Sequence, residues 1–348
     1  MIKPDYRSAE RAACDLLCEY EINQLPIPLE KYNKSFNDLR IKSYSWYAEK
    51  NCISIDEVIE HADSDSGCCW YIPKMNKYMI LYNDTIKNQG HIRWTIAHEL
   101  GHYILNHNKR TGKSIISRSA LSDKEYQAFE KEANCFARSL LAPPSVLVKL
   151  KQFNAKELSE WCEVSLNAAS NIISFFRKGL LLGKNHFNNE KVSNLFSDFI
   201  FKKNNEHTCL TCKHHFIHAY PKFCPICRSK NLLKKKEKTY MIYDGVFLDE
   251  NYRAIRCPQC ENEEITSGNY CKVCGITVVN RCDNRYFSNG HEIIECDAPA
   301  DGNARYCTVC GEKTLFFKNK ILRDWKESYQ ELLVKFSDRM FKSGDLPF

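Results

Sequence analysis

The spacing of hydrophobic residues predicts both helices and strands in the N-terminal part of the chain. Apolar and small residues recur at helical intervals over residues 8–20, and residues 70–82 read as two short strands around a Lys-Met-Asn-Lys turn. A long helix is predicted to begin near His91 and to run through residue 107. Its apolar stripe recurs every four residues, at Ile92, Ile96, Leu100 and Ile104.

Three more helices are predicted before residue 180. One spans residues 123–141 and ends before Pro143, because proline cannot donate a backbone hydrogen bond and restricts the residue before it. Residues 154–178 have the apolar rhythm of two helices in a helix-turn-helix. The second of these helices offers only Arg177 and Lys178 to phosphates, so we interpret the pair as a scaffold or docking element rather than an autonomous DNA reader.

The remaining polar and amphipathic segments suggest a linker and a C-terminal helix. Residues 184–206 are mostly polar with one short apolar stretch, and we interpret them as a linker. Residues 319–348 are predicted to contain an amphipathic helix that packs onto its own chain, with a groove on a partner as the alternative. The apolar face of that helix consists of Ile321, Leu322, Trp325, Tyr329, Leu332, Leu333 and Phe336.

Composition places the chain among globular proteins with more than one domain. It has 348 residues, of which 43% are hydrophobic and 27% charged. The net charge is +7 and is spread along the chain, which argues against a strongly basic nucleic-acid arm. We find neither an export signal in the first twenty residues nor a run of roughly 18 apolar residues, so we expect a cytoplasmic protein with no membrane partner.

The cysteines change this picture because they are numerous and unevenly placed. Of the 19 cysteines, twelve lie between Cys209 and Cys310, mostly in Cys-x-x-Cys pairs. In a cytoplasmic protein thiols stay reduced, so the paired spacing points to metal binding rather than to disulfides. Two sets of paired Cys-x-x-Cys turns predict two structural zinc ribbons. Their ligands would be Cys209, Cys212, Cys224 and Cys227 in the first, and Cys257, Cys260, Cys271 and Cys274 in the second.

A third cysteine module is less regular. Cys282 and Cys296 are isolated, and Cys307 and Cys310 form a pair, so four ligands exist but one turn is open. His291 is an alternative to either isolated cysteine. We therefore expect two to three structural zinc ions in residues 207–318, which supply folding free energy to modules too small to bury much apolar surface. These ribbons could contact either protein or nucleic acid.

The strongest chemical signal is the pentapeptide His98-Glu99-Leu100-Gly101-His102. Residues four apart lie on the same face of a helix, so the two imidazoles can bind one zinc ion while Glu99 lies beside its water. Zinc makes that water more acidic, and the carboxylate can pass its proton to a leaving amine. This arrangement would make Glu99 the general base of a peptidase.

A catalytic zinc needs a third protein ligand, which we place on the following helix. Glu130 is the preferred candidate, with Asn134 one turn later to orient a ligating histidine. Glu132 lies about 200° around the helix from Glu130, and we interpret it as a solvated charge. Near the motif, we interpret Arg93 as structural and His107 as a helix-end histidine rather than a fourth ligand.

Two sequence blocks carry a family resemblance over roughly residues 8–145. The run IRWTIAHELGHYILNH followed by FEKEANCFARSLLAPP resembles the ImmA/IrrE family of cytoplasmic zinc metallopeptidases. The family pattern is Arg-x-x-Thr-x-Ala-His-Glu-x-Gly-His and then Glu-x-Glu/Gln-Ala-Asn-x-Phe-Ala-x-x-Leu-Leu-x-Pro, and Ala142 departs from it where Met is common. The resemblance implies zinc ligands at His98, His102 and Glu130, a base at Glu99, and a helix-turn-helix repressor as the protein substrate.

Together these observations predict an α+β zinc metalloendopeptidase of the gluzincin-like type with C-terminal zinc ribbons. The predicted regions are a peptidase domain at 1–148, a helix-turn-helix-like extension at 149–183, the linker at 184–206, three zinc-ribbon-like modules at 207–318 and the helix at 319–348. One catalytic zinc and two to three structural zinc ions are expected. The alternative is a non-enzymatic regulator that uses the ribbons to bind nucleic acid or to dock on a protein.

Overall fold

The computed structural model describes residues 3–116, 121–181, 189–236, 240–265, 267–329 and 331. The chain divides into two compact units, Met1–Phe201 and Lys202–Phe348. Both helices and strands are present, which confirms the α+β class expected from the sequence. Among the described residues, no helix combines the length and the apolar character needed to cross a membrane.

The first unit contains three strands and most of the helices. Its strands are β1 (Leu39–Ser43), β2 (Gly67–Ile72) and β3 (Lys77–Tyr82). Its first helices in chain order are α1 (Tyr6–Glu19), α2 (Tyr32–Ser35), α3 (Tyr44–Asn51), α4 (Ile55–Ala62), α5 (Gln89–Ile104) and α6 (His107–Thr111). The later helices are α7 (Asp123–Leu141), α8 (Pro144–Leu147), α9 (Ala155–Cys162), α10 (Leu166–Leu181), α11 (Glu190–Leu195) and α12 (Ser197–Asn205), and the division between the units falls inside α12.

The three strands form a small mixed sheet with β3 at its centre. The order is β1-β3-β2, with β1 parallel and β2 antiparallel to β3. Ile80 pairs with Ile41 on one side and with Cys69 on the other, and it is fully buried. The hairpin of β2 and β3 confirms the two strands predicted at 70–82, whereas the parallel strand β1 was not predicted.

Helix α5 packs against β2 and β3 of this sheet and against α7, and the packing of the two helices brings the polar motifs together. A methyl group at Gly101 would lie 3.2 Å from the Cα of Ala133 and 3.1 Å from the ring of Phe136, so the absence of a side chain at Gly101 helps the two backbones to approach this far. Leu100 and Phe136 are fully buried in the same core. Both helices were predicted, and α7 has the predicted bounds, from the Ser122 capping box to the residue pair before Pro143.

Helices α9 and α10 form the helical pair predicted at 154–178. Arg93 of α5 is tied to this pair, since its Nε donates to the carbonyl of Cys162 at 2.8 Å. A second guanidinium nitrogen donates to the carbonyl of Ile27. These bonds give Arg93 the structural role expected from the sequence.

The segment interpreted as a linker contains α11 and α12. Val192 and Phe196 are fully buried in the core of the first unit, and the Ser193 hydroxyl donates to the carbonyl of Ser145 at 3.1 Å. Their apolar spacing of four residues is helical, and the core accepts that face. The described part of 184–206 is therefore folded and packed rather than extended.

The second unit is built from short strands around cysteine clusters. A three-stranded sheet has the order β5-β4-β6, and β7 and β8 form a hairpin. The elements are β4 (Glu206–Cys209), β5 (His215–Ile217), β6 (Leu232–Leu233), β7 (Asn284–Ser288), β8 (His291–Cys296) and α13 (Leu315–Lys318). Residues 325–329 are also helical, and Trp325 and Tyr329 pack against the core that contains Cys209, Cys212 and Cys224. Most of the helix predicted at 319–348 lies outside the described residues.

Candidate metal centre and catalytic site

Helix α5 presents both histidines of the pentapeptide on one face. The Nε2 atoms of His98 and His102 lie 3.1 Å apart. His102 is almost completely buried, whereas His98 keeps a small exposed area. The helical interval of four residues therefore does what the sequence predicted and aims two imidazole nitrogens at one point.

Helix α7 brings Glu130 to the same point. One carboxylate oxygen lies 3.4 Å from His98 Nε2, and the other lies 3.3 Å from His102 Nε2. Donors bound to one tetrahedral zinc at its usual nitrogen and oxygen distances lie about 3.3 Å from each other. The two nitrogens and the carboxylate thus fit a three-ligand zinc site with one open position.

The carboxyl group of Glu99 is buried beside this cluster, with 9% of the residue exposed. It accepts a hydrogen bond from the backbone N–H of Cys69 on β2. Burial raises the pKa of Glu99, although His98 and His102 act in the opposite direction. Burial also acts to raise the pKa of Glu130, but the neighbouring His102 and His98 hold it well below the ordinary value.

The geometry agrees with the comparison to protein families. Residues 57–174 match the IrrE N-terminal-like domain model of the peptidase M78 family. The match confirms the resemblance drawn from the sequence blocks and indicates a zinc metallopeptidase-like domain. It includes α5, α7, α9 and the first half of α10, but not the second unit. A comparison with curated proteins found no match.

Within the matched region, Asn134 orients the first histidine. Its Oδ1 lies 3.2 Å from His98 Nδ1, on the side of the ring opposite Nε2. A neutral imidazole with a proton on Nδ1 would donate to this oxygen and leave Nε2 free as a ligand. The structure therefore gives Asn134 the contact that the sequence suggested.

The interpretation of Glu132 as a solvated charge was wrong. Only 3% of its side chain is exposed, and one carboxylate oxygen lies 2.9 Å from His107 Nε2 and 3.1 Å from a guanidinium nitrogen of Arg110. Residues of α6 and the backbone at the start of α1 surround the Glu132 carboxylate. His107, interpreted as a helix-end residue, is the first residue of α6 and is fully buried.

His102 of α5 and His107 of α6 are in direct contact. His107 Nδ1 lies 2.9 Å from His102 Nδ1, which the sequence reasoning missed. Burial and the neighbouring His102 lower the pKa of His107 to about 2, so its ring is neutral. The sequence shows a histidine five residues after His102, but it does not show that this histidine is buried, because its burial depends on tertiary packing.

The walls of the site were also not identified from the sequence. A cavity of about 540 Å³ contains the cluster and is bounded by residues 62–68, between α4 and the start of β2. Trp94, Thr95 and Tyr126 line its other sides. Tyr103, by contrast, packs against Phe36 and donates its hydroxyl proton to Asp38 at 2.7 Å, which fits a core position.

The second unit brings all twelve predicted cysteines into three groups of four. They are Cys209, Cys212, Cys224 and Cys227; Cys257, Cys260, Cys271 and Cys274; and Cys282, Cys296, Cys307 and Cys310. The closest Sγ atoms lie 3.5 Å apart in the first two groups and 3.3 Å apart in the third. Thiolates on one tetrahedral zinc lie about 3.8 Å apart, so these groups fit zinc-ribbon-like modules.

Backbone geometry in the modules supports the same chemistry. Gly275 and Gly311 have φ of 76° and 83°, and each follows the second cysteine of a pair. The N–H of Val309 donates to Cys307 Sγ at 3.4 Å. His291 is exposed at the start of β8 and stands outside the third group, which consists of cysteines alone.

Proposed function

We propose that the protein is a zinc-dependent endopeptidase of the His-Glu-x-x-His, gluzincin-like type that cleaves a cytoplasmic protein. One observation carries the proposal: donor atoms of His98, His102 and Glu130 converge beside the buried Glu99 within one cavity. Three ligands with an open fourth position are typical of catalytic zinc, whereas structural sites use four protein ligands. The three cysteine groups are closed in this sense, and the proposed total is one catalytic and three structural ions.

The residues of α5 and α7 divide the chemistry between them. Zinc held by His98, His102 and Glu130 would supply Lewis-acid activation of water and of the scissile carbonyl. Glu99 takes the proton from the attacking water and delivers it to the leaving amine nitrogen. The carboxyl group of Glu99 lies in the same cavity as the three ligands, so one group can carry out both proton transfers.

We propose a helix-turn-helix repressor as the substrate. The support is the resemblance to the ImmA/IrrE family, whose members typically cleave such repressors. The cysteine modules would then locate the substrate or gate its access by protein contact. Transcriptional control through removal of the repressor follows from this choice of substrate.

A second candidate function is binding of nucleic acid by the cysteine modules. Its support is a set of exposed aromatic side chains in the second unit, which can stack on bases. Tyr220, Phe247, Tyr270 and Phe287 are each more than two-thirds exposed, at 81%, 85%, 68% and 77%. This function predicts binding that weakens with salt and is unaffected by Glu99→Gln.

The peptidase proposal is tested by comparing new protein N-termini in cells that produce the wild-type chain or Glu99→Gln. We expect a new N-terminus within a cytoplasmic protein only with the wild type, because glutamine cannot take the proton from water. Cleavage should fall by at least about 100-fold. The zinc content of the purified variant should be unchanged, which shows that the site is intact. Equal cleavage by both chains would remove Glu99 from the mechanism.

A further inference from the structure

A buried polar chain extends from His102 away from the cavity. His102 Nδ1 contacts His107 Nδ1 at 2.9 Å, and His107 Nε2 contacts Glu132 at 2.9 Å. We propose that His107 and Glu132 are positioning residues that hold His102 in the tautomer and orientation needed to bind the metal. The inference rests on the proposed function, since it assigns roles toward the same zinc site.

For a neutral His107 ring, which carries one N–H proton, the hydrogen-bonding rules allow one direction through this chain. The Glu132 carboxylate only accepts, so His107 donates from Nε2 and keeps a lone pair on Nδ1. That lone pair accepts the Nδ1 proton of His102. The Nε2 atom of His102 is then unprotonated, and it is the atom that faces His98 and Glu130. Each proton position therefore follows from the carboxylate at the far end.

Glu132 is itself fixed from several directions. One oxygen accepts from Arg110 at 3.1 Å as well as from His107, and the other accepts from the backbone N–H of Asp5 at 2.8 Å. Asp5 is the N-cap residue of α1, so α1, α6 and α7 all contribute to the chain. The Glu132 end of the polar chain is thus held by groups of α1, α6 and α7.

Packing alone does not account for these residue types. His107 is fully buried, and only 3% of the Glu132 side chain is accessible to solvent. Apolar residues of similar volume would fill such a space without the desolvation cost of a buried ionised group. Partners of ligating histidines commonly fix the ring and its tautomer, and their loss weakens metal binding.

The test compares His107→Leu with His107→Gln in the full-length chain. Leucine fills space but cannot accept from His102, whereas the glutamine amide offers an oxygen to His102 and an N–H to Glu132. Zinc release is measured against a graded chelator, with His98→Ala/His102→Ala defining the release from the cysteine groups alone. We expect about 10- to 100-fold weaker zinc binding in the leucine variant. The glutamine variant should stay close to the wild type.

The outcomes separate this inference from the proposed function. A wild-type release curve identical to that of His98→Ala/His102→Ala would overturn the zinc site and this inference with it. A wild-type site that survives unchanged in a folded His107→Leu variant would overturn only the positioning role. If His107→Leu does not fold, imidazole ¹⁵N spectra of the zinc-loaded wild type decide. Protons on His102 Nδ1 and His107 Nε2 support the inference, and a proton on His107 Nδ1 contradicts it.

Discussion

Glu130 and Glu132 are two positions apart on α7, and their environments give them different chemistry. Glu130 faces two imidazole nitrogens at 3.3 and 3.4 Å, beside a cavity open to solvent. Glu132 is enclosed with His107, Arg110 and the start of α1. A carboxylate beside two nitrogen donors is suited to a metal, whereas a carboxylate paired with cationic and N–H donors is suited to holding other groups in place.

At this scale we expect Glu130→Gln to abolish zinc binding at the α5–α7 site and reduce cleavage at least about 100-fold, because a neutral amide replaces the anionic ligand. Zinc content and cleavage of the same preparation provide the measurement. The matched control is Lys131→Gln, which changes an exposed side chain next to Glu130. Normal zinc binding and cleavage by Glu130→Gln would assign the third ligand to another residue.

Residue identity alone could not separate these two glutamates completely. The sequence favoured Glu130 because the helical positions of Glu130 and Asn134 coincide, and the structure places both at the histidines. It could not show that α6 and the start of α1 enclose the Glu132 carboxylate, because those contacts join residues more than 20 positions apart. The buried role of Glu132 is therefore a tertiary property.

Among the secondary-structure elements, α5 and α7 were predictable and β1 was not. The two helices carry long apolar stripes, and α7 also has a capping residue and a proline beyond its end. Strand β1 has five residues and pairs in parallel with β3, which follows it only after two helices and another strand. A short strand with a distant partner leaves little local signal.

The close packing of α5 against α7 predicts that a larger residue at Gly101 is destabilising. Alanine normally favours a helix over glycine by about 1 kcal/mol. At Gly101, however, the added methyl group would lie 3.2 Å from the backbone of Ala133 and 3.1 Å from the ring of Phe136, so α7 would have to shift slightly to accommodate it. We expect Gly101→Ala to lower the free energy of unfolding by about 1–3 kcal/mol, measured by denaturant titration. An unchanged or increased stability would show that the helices separate at little cost.

Bound metal is expected to contribute more to the folding free energy of the second unit than to that of the first. The first unit has a large apolar core around α1, α5, α7 and the sheet. In the described part of the second unit, the apolar core around the first cysteine group has Ile226 and Tyr243 as its buried members besides cysteine. Such a small core needs additional folding free energy, which bound zinc can supply.

The first and third cysteine groups are also joined through their backbones. The N–H groups of Arg305 and Tyr306 both donate to the carbonyl of Pro225 at 2.8 Å, and Lys222 N–H donates to the carbonyl of Thr308 at the same distance. Pro225 and Thr308 lie inside the Cys-x-x-Cys turns of the two groups. These modules therefore form one folded body, and we expect their metal ions to be retained together.

The number of zinc ions bound by the purified full-length chain tests the proposed metal site between α5 and α7. We expect four per wild-type molecule, with one ion between α5 and α7 and one in each cysteine group. The His98→Ala/His102→Ala variant should bind three, because the cysteine groups are untouched. The same number of ions in both proteins would contradict the proposed site, since it would mean that the histidine helix holds no metal.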